Sequence, residues 1–261
     1  MNYMDIFDKT IREIKLWFQQ KRDEAEFRYY DVVLPEKRTP SSNNSTLRNN
    51  VSIILKEDTH LELGHPSVGS CSATLATQDS SLIENGRISL IGPEIFELEE
   101  GLVPFAQIAF ASCQGDVKEM SRSMDRQLHR SAQHEGYMIR SVPNVIWARV
   151  SKQAVSDGFS FNKLGTRLIE SLWHEFGGVS AVEILFVTTC RDDILILNRM
   201  VDMARAKLKK ILSFEHKVDD TYECTTGNDC EECPEQEVCD SIRDVIKLRK
   251  GDRIISFGPE H

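Results

Sequence analysis

The chain has 261 residues, of which 28% are charged, and its formal net charge is −9 at pH 7. This length suffices for one large hydrophobic core or two smaller ones, and the composition is that of an ordinary globular protein. The acidic balance argues against binding to a nucleic-acid backbone, which needs a basic surface. No apolar stretch is long enough to cross a bilayer. We therefore expect a cytoplasmic protein that binds neither nucleic acid nor membrane.

The first predicted element is an amphipathic helix over residues 4–28. Its apolar residues recur at steps of three and four, which places them on one helix face: Ile6, Phe7, Ile11, Ile14, Trp17 and Phe18. Core packing is the preferred interpretation of this stripe over partner binding. Residues 36–50 are rich in Ser and Asn and predict a linker. We therefore expect residues 1–35 to form an N-terminal appendage.

A mixed α/β domain is predicted over residues 51–215. Short β-branched or apolar runs bounded by turn residues predict strands at 51–55, 87–91, 105–111, 145–150 and 182–188. Helical patterns separate the last three strands, at 116–137 and 162–176, and another follows at 192–212. This order predicts an α/β (mixed α+β) fold in which crossover helices cover a layered sheet.

Four cysteines near the C-terminus, within a segment predicted over residues 216–261, are the strongest chemical signal in the chain. They are Cys224, Cys230, Cys233 and Cys239, spaced C-x5-C-x2-C-x5-C. Thiolates gathered this tightly can hold an iron–sulfur cluster or a zinc ion. Cys233 precedes Pro234, as the last cysteine does in many cluster-binding runs. A [4Fe–4S] cluster is therefore the preferred interpretation.

Two alternatives to the cluster stay open. A structural zinc site usually has two C-x2-C pairs, and only Cys230 and Cys233 form one here. A redox-active or inert thiol group is the other alternative, whereas disulfides are disfavoured because the sequence opens without a secretory signal. The remaining cysteines lie in or beside apolar runs and are predicted to be buried core thiols: Cys71, Cys113 and Cys190.

Three ordered blocks in the middle of the chain carry a resemblance to a known family. Residues 61–66 (LELGHP), 84–95 (ENGRISLIGPEI) and 145–159 (VIWARVSKQAVSDGF) resemble motifs of the β subunit of the carbon monoxide dehydrogenase/acetyl-CoA synthase system. The family's versions are E-L-G-G-P, E-D-G-K-I-x-x-I-G-P-D-I and I-x-W-x-R-x-S-K-D-A-x-x-K-G-F. With weaker matches around them, the resemblance covers about residues 60–224.

The resemblance implies a fold, a cofactor and a departure from the family's chemistry. It implies a central α/β domain, and it places Arg149 and Lys152 in a block whose basic residues are linked to coenzyme A. The tryptophan also linked to coenzyme A is replaced, because the family's E-G-L-W is here Glu135-Gly136-Tyr137-Met138. The family's nickel-binding Cys-Gly-Cys is not found in these 261 residues. Carbon–carbon bond formation at nickel is therefore not expected of this chain alone, and no catalytic residue is assigned.

These observations leave three hypotheses about function. The first is an iron–sulfur relative of the synthase β subunit with an accessory, scaffold or electron-transfer role in anaerobic one-carbon metabolism, working with protein partners of a complex. The second is an acyl- or methyl-group transferase that uses coenzyme A and a partner's metal site. The third is a zinc-stabilised interaction module, in which the four-cysteine segment folds only around metal.

Overall fold

Two β-sheets with packed helices form the first of the chain's two compact units, Met1–Ala204 and Arg205–His261. The structure is a computed structural model, and it describes residues 3–34, 53–115, 120–121, 123–124, 127–128, 136–139, 145–215, 217–218 and 221–222. The helices are α1 (Tyr3–Arg22), α2 (Lys152–Ser156), α3 (Phe161–Glu175) and α4 (Arg191–Glu215), and the described residues among 120–128 are also helical. The strands of the first unit are β1 (Phe27–Asp31), β2 (Thr59–Leu63), β3 (Ser70–Thr77), β4 (Arg87–Ile91), β5 (Gly101–Val103), β6 (Phe105–Cys113), β7 (Tyr137–Ile139), β8 (Ala148–Ser151) and β9 (Val179–Val187).

The larger sheet is a mixed sheet with the strand order β1-β4-β9-β6-β3. Strand β4 is parallel to β9 and β3 is parallel to β6, whereas β1 pairs with β4 and β6 pairs with β9 antiparallel. Two of the three inner strands, β6 and β9, are buried along almost their whole length. Their sequences are apolar on both faces, as a strand covered on both sides requires.

Helix α1 covers one face of this sheet. The first four residues of its apolar stripe are buried, with Ile11 and Ile14 having no exposed surface, and Trp17 and Phe18 are half-buried. The Thr77 hydroxyl at the end of β3 donates a hydrogen bond of 2.6 Å to Asp8 Oδ1 on the helix. The interpretation of the stripe as core packing is confirmed. The expectation of an N-terminal appendage is wrong, because α1 packs on the sheet and β1 forms its edge.

Helix α3 covers the opposite face. Phe161 stacks on Phe105 and packs against Phe186 of β9, with ring centroids 5.6 Å and 5.1 Å apart. Glu183 and Phe186 are three positions apart on β9, so their side chains face opposite sides of the sheet. Glu183 contacts Lys15 of α1, which places α1 and α3 on opposite faces. Gly165 lies so close to Ile88 that a Cβ would be 2.8 Å from the isoleucine Cδ1. A side chain at Gly165 would therefore push α3 away from the sheet.

The second sheet has the strand order β5-β2-β8-β7. Strand β2 is parallel to β5 and antiparallel to β8, and β8 is antiparallel to β7. Buried and half-buried residues alternate along β2 and β8. One face of this sheet is therefore packed in the core, and the other carries the polar residues of two of the three family-like blocks.

The prediction of a mixed α/β fold is confirmed, but several of its details are wrong. The helix predicted over 4–28 ends at Arg22, and Phe27 already belongs to β1. Residues 53–55 form no strand, and residue 137 is in β7 rather than in a helix. The predicted crossovers fail because β8 lies in the second sheet, while β6 and β9 are antiparallel neighbours. The predicted linker at 36–50 lies outside the described residues.

The described part of the second unit contains the end of α4 and a short hairpin. Strands β10 (Lys217–Val218) and β11 (Thr221–Tyr222) pair antiparallel in it. The helix predicted at 192–212 is confirmed by α4. Among the described residues, no helix combines the length and the apolar character needed to span a membrane.

Candidate functional site

On the half-buried face of the second sheet, four residues form one row across four strands. Glu62 of β2 lies opposite Leu102 of β5 and Arg149 of β8, and Arg149 lies opposite Met138 of β7. Side chains directly opposite in a sheet share a face and contact each other. The row therefore joins residues from three separate parts of the chain around one carboxylate and one guanidinium.

Glu62 holds the guanidinium of Arg149 in place. Arg149 Nε donates to Glu62 Oε1 at 2.9 Å, and its Nη1 donates to the Ile54 carbonyl at 3.1 Å. Both side chains are only 13% exposed, and the indole Nε1 of Trp147 donates to the other oxygen, Glu62 Oε2, at 3.2 Å. Arg149, predicted to bind coenzyme A, is thus neutralised within the fold, and removing either partner would leave a poorly solvated charge.

A tight loop crossing supports Trp147. Gly64 has a φ of +67°, and a Cβ there would lie 2.1 Å from the Ile146 carbonyl oxygen. The Ser70 hydroxyl donates to that same oxygen at 2.7 Å and accepts a hydrogen bond from Ile146 N–H at 2.9 Å. His65 then meets the Trp147 ring edge-on, with centroids 4.9 Å apart. The glycine of the first family-like block is therefore required for the close approach of the third block.

Lys152, the second predicted coenzyme A ligand, is placed differently from Arg149. It is the first residue of α2, which begins after the N-cap Ser151. Its ammonium lies 3.1 Å from Glu100 Oε1, and the two side chains are 50% and 59% exposed. An exposed ion pair of this kind contributes little to stability and is easily replaced by another anion. Lys152 is the freer of the two predicted cations.

A buried carboxylate in the second family-like block was not predicted from the sequence. Glu94 has no exposed surface; its Oε1 accepts hydrogen bonds from Ile95 N–H at 2.9 Å and Phe161 N–H at 2.7 Å. Its Oε2 accepts the Tyr30 hydroxyl at 3.0 Å. Burial, with the charge of Glu94, raises the pKa of Tyr30 to about 12. Glu94 thereby ties the start of α3 to β1, and these satisfied contacts give it a structural role.

A second ion pair fixes the same corner of the fold. Glu97 side-chain oxygen accepts a hydrogen bond from Glu94 N–H at 2.8 Å, which completes a capping box around the 3-10 turn Ile95–Glu97. Arg28 of β1 binds both oxygens of Glu97, at 2.5 Å and 2.6 Å. This bidentate contact lowers the pKa of Glu97. The turn Ile95–Glu97 is therefore anchored to the edge strand.

The four candidate metal ligands, Cys224, Cys230, Cys233 and Cys239, lie outside the described residues. Within the described part, no group of three or more His, Cys, Asp or Glu side chains is placed to hold a metal ion. The prediction of buried thiols is confirmed for Cys71 and Cys113 and is wrong for Cys190, which is exposed. Cys190 immediately precedes α4, so the apolar run around it ends before the thiol.

Comparison with known proteins decides the family. The family described as CO dehydrogenase/acetyl-CoA synthase complex beta subunit matches residues 47–193, more than half of the chain. The chain belongs to this family. The matched range of this beta-subunit family includes both the Glu62–Arg149 pair and Glu94. It ends before the four cysteines.

The chain matches only part of the length of individual relatives in the beta-subunit family. The acetyl-CoA decarbonylase/synthase complex subunit beta of Methanopyrus kandleri is 33% identical over 173 residues, which are 64% of this chain and 36% of that protein. The Archaeoglobus fulgidus subunit of the same name is 26% identical over 181 residues, covering 66% and 34%. The carbon monoxide dehydrogenase/acetyl-CoA synthase subunit alpha of Moorella thermoacetica is 29% identical over 162 residues, covering 60% and 21%. The chain thus spans about a third or less of these curated relatives.

Proposed function

We propose that the chain is a component of a CO dehydrogenase/acetyl-CoA synthase type of complex, with an accessory, scaffold or electron-transfer role based on a [4Fe–4S] cluster. One observation carries the proposal: a beta-subunit domain at residues 47–193 is followed in the same chain by four cysteines within sixteen residues. The named relatives are subunits of complexes, which favours protein partners in a one-carbon pathway for this chain as well.

Cys224, Cys230, Cys233 and Cys239 are the proposed cluster ligands. Four thiolates match the ligand set of a [4Fe–4S] cluster, and bound to this chain the cluster would supply one-electron transfer. The chain's own part is to provide the sulfur donors and an acidic, polar surrounding from residues such as Glu231 and Glu235. Because the 261 residues contain no Cys-Gly-Cys, the proposal assigns no nickel site to them.

The two predicted coenzyme A ligands differ in their freedom to bind a phosphate. The Arg149 guanidinium already binds Glu62 at 2.9 Å, so a phosphate would have to compete with a carboxylate that is only 13% exposed. Lys152 pairs with an exposed glutamate and could exchange it for a phosphate at little cost. We therefore propose that any coenzyme A contact depends on Lys152 and leaves the Glu62–Arg149 pair intact.

The test begins with metal and acid-labile sulfide analysis of the anaerobically purified full chain, together with absorption and paramagnetic-resonance spectra. We expect about four iron and four sulfide per chain, as a [4Fe–4S] cluster requires. Replacing any of the four ligands by alanine should lower the iron content. Cys190→Ala is the matched control, because this thiol is exposed and outside the proposed set, and it should leave the iron content unchanged.

Three other results would change or refine the proposal. Stoichiometric zinc in a colourless preparation would replace the proposal by the zinc-stabilised interaction module. If the purified chain contained nickel as well as iron, the proposal that it has no nickel site would be wrong. Titration of coenzyme A against the Lys152→Gln and Arg149→Gln variants then separates the two cations: heat of binding that is lost only in Lys152→Gln agrees with the proposed contact.

A further inference from the structure

A cavity of about 100 Å³ lies between α1 and the central sheet. Its floor is formed by Ser89, Phe110 and Leu185 of three adjacent strands, and its wall by α1 from Lys15 to Arg22. The eight helical residues from Lys15 to Arg22 span about 10 Å. An apolar cavity of about 150 Å³ is known to accept one benzene ring. The present cavity is smaller but opens to solvent, so a ligand with a single ring can enter it with its substituents reaching towards the opening.

One end of the cavity has a buried acceptor. Glu183 lines it and its side chain is only 8% exposed. Its Oε2 accepts two hydrogen bonds, from Lys15 Nζ at 2.6 Å and from Glu84 N–H at 2.8 Å. Among the described residues, none donates to its Oε1. This oxygen is not one of the fully buried polar atoms without a partner, so it is open to a ligand that supplies a hydroxyl or amine hydrogen.

The other end has a cation that is held by an aromatic ring. The Arg22 guanidinium lies 5.7 Å from the centroid of Phe27, and within the described part of the chain it forms no ion pair. The neighbouring Arg87, in contrast, binds Asp31 at 2.6 Å and Glu84 at 3.0 Å. Arg22 is thus able to bind an additional anion, while Arg87 compensates the negative charge of Glu84 at the cavity edge.

The surface between the two ends is aromatic. Phe18 and Phe27, which both line the cavity, meet edge to face with centroids 5.3 Å apart. Lys15 lies 5.9 Å from the centroid of the Phe110 ring on the floor. Aromatic walls with one polar group at each end are typical of small-molecule sites that fix the orientation of a ligand.

We propose that this cavity binds a small monocarboxylate that carries a hydroxyl group at its opposite end. The carboxylate binds Arg22 at the open side, the carbon skeleton packs between Phe18 and Leu185, and the hydroxyl donates to Glu183 Oε1. The residues that line the cavity include none of the four cysteines and neither Glu62 nor Arg149. If no ligand binds in the cavity, the proposed function is unaffected, and if the chain holds no iron–sulfur cluster, the proposed ligand site is unaffected.

The experiment is a titration of the full anaerobically prepared chain with 4-hydroxybenzoate, benzoate and benzamide, followed by calorimetry and by ligand-observed NMR. For a ligand of about ten heavy atoms we expect a Kd of about 1 mM or tighter. Benzoate lacks the hydroxyl and should bind several-fold more weakly. Benzamide lacks both the hydroxyl and the charge and should bind about tenfold more weakly than benzoate, equivalent to about 1.4 kcal/mol.

Two variants and one matched control locate the site. Arg22→Gln should weaken 4-hydroxybenzoate about tenfold, whereas Arg12→Gln, an exposed arginine of the same helix that lies 3.7 Å from Asp79, should not. Gln19→Trp places a large side chain at an exposed position of the cavity wall and should abolish binding. The proposal is overturned if no probe binds at about 20 mM, if Arg22→Gln binds like the unmodified chain, or if binding survives Gln19→Trp.

Discussion

Replacing Glu94 by leucine is expected to cause a large loss of stability in the first unit. The carboxylate has no exposed surface and accepts hydrogen bonds from Ile95 N–H, Phe161 N–H and the Tyr30 hydroxyl. Leucine has a similar size but no acceptor. The two backbone donors would stay buried without a partner, and the start of α3 would lose its connection to β1.

The size of the effect follows from the number of donors. An unsatisfied buried donor costs about 1–3 kcal/mol, so two backbone N–H groups give about 2–6 kcal/mol. Tyr30 is half-buried and can turn its hydroxyl to water, so Tyr30→Phe should cost only about 1 kcal/mol. Glu94→Gln keeps one acceptor oxygen but loses the charge, and should lie between these values.

Thermal and urea unfolding, followed by circular dichroism, measure these differences. For a unit of this size we expect about 2–4 °C per kcal/mol, hence a drop of about 4 °C or more for Glu94→Leu. Glu170→Leu is the control, because Glu170 is exposed on the same helix α3, and it should change stability by less than about 0.5 kcal/mol.

Two results would refute the structural role of Glu94. The first is a Glu94→Leu variant no less stable than Tyr30→Phe, since the backbone donors would then have other partners. The second is additivity of the two substitutions. Because both act on one hydrogen-bonded cluster, the double variant should cost less than the sum of the single costs.

Four further predictions concern other sites. Gly165→Ala should destabilise the protein by about 1–3 kcal/mol in urea unfolding, because the new Cβ overlaps the Ile88 side chain of β4. Gly177→Ala is the control and should be nearly neutral, because a Cβ there has no atom within 4 Å. Equal effects of the two substitutions would contradict the packing of α3. Tyr137→Phe removes a buried hydroxyl for which the described residues supply no hydrogen bond, so thermal unfolding should show unchanged or slightly higher stability, and a loss above about 1 kcal/mol would reveal a partner. The pKa of Tyr30 is raised from 10.0 to about 12. The contribution of the neutral Tyr30 hydroxyl to the free energy of unfolding is therefore complete below pH 10 and is lost as the pH rises towards 12. The free energy of unfolding of Tyr30→Phe should fall less than that of the unmodified chain over this range. Cys190 is exposed and should react with a thiol reagent in the folded chain, while the two buried thiols react only on unfolding; slow labelling at Cys190 would contradict its position.

Local patterns in the sequence were enough for the family and for many of the elements. The three family-like blocks lie within or overlap the range 47–193 that the family comparison matches. Strands β4, β6 and β9 and helices α3 and α4 were predicted close to their observed bounds. Each of these segments is either a short apolar or β-branched run or a pattern with a period of 3.6, with turn residues at its ends. The sequence also supplies the four-cysteine hypothesis, which stays a prediction.

Only the tertiary structure decided which segments pair and which charges meet. Residues 27–28 continue a helical pattern, yet Phe27 and Arg28 pair with β4, because hydrogen bonds to a neighbouring strand outweigh a weak local preference. Glu62 and Arg149 are 87 positions apart and Glu94 and Phe161 are 67 apart. Such contacts leave no periodic signal. They arise from register and burial across strands, so a single sequence names the residues without showing that Arg149 is neutralised or that Glu94 caps a helix.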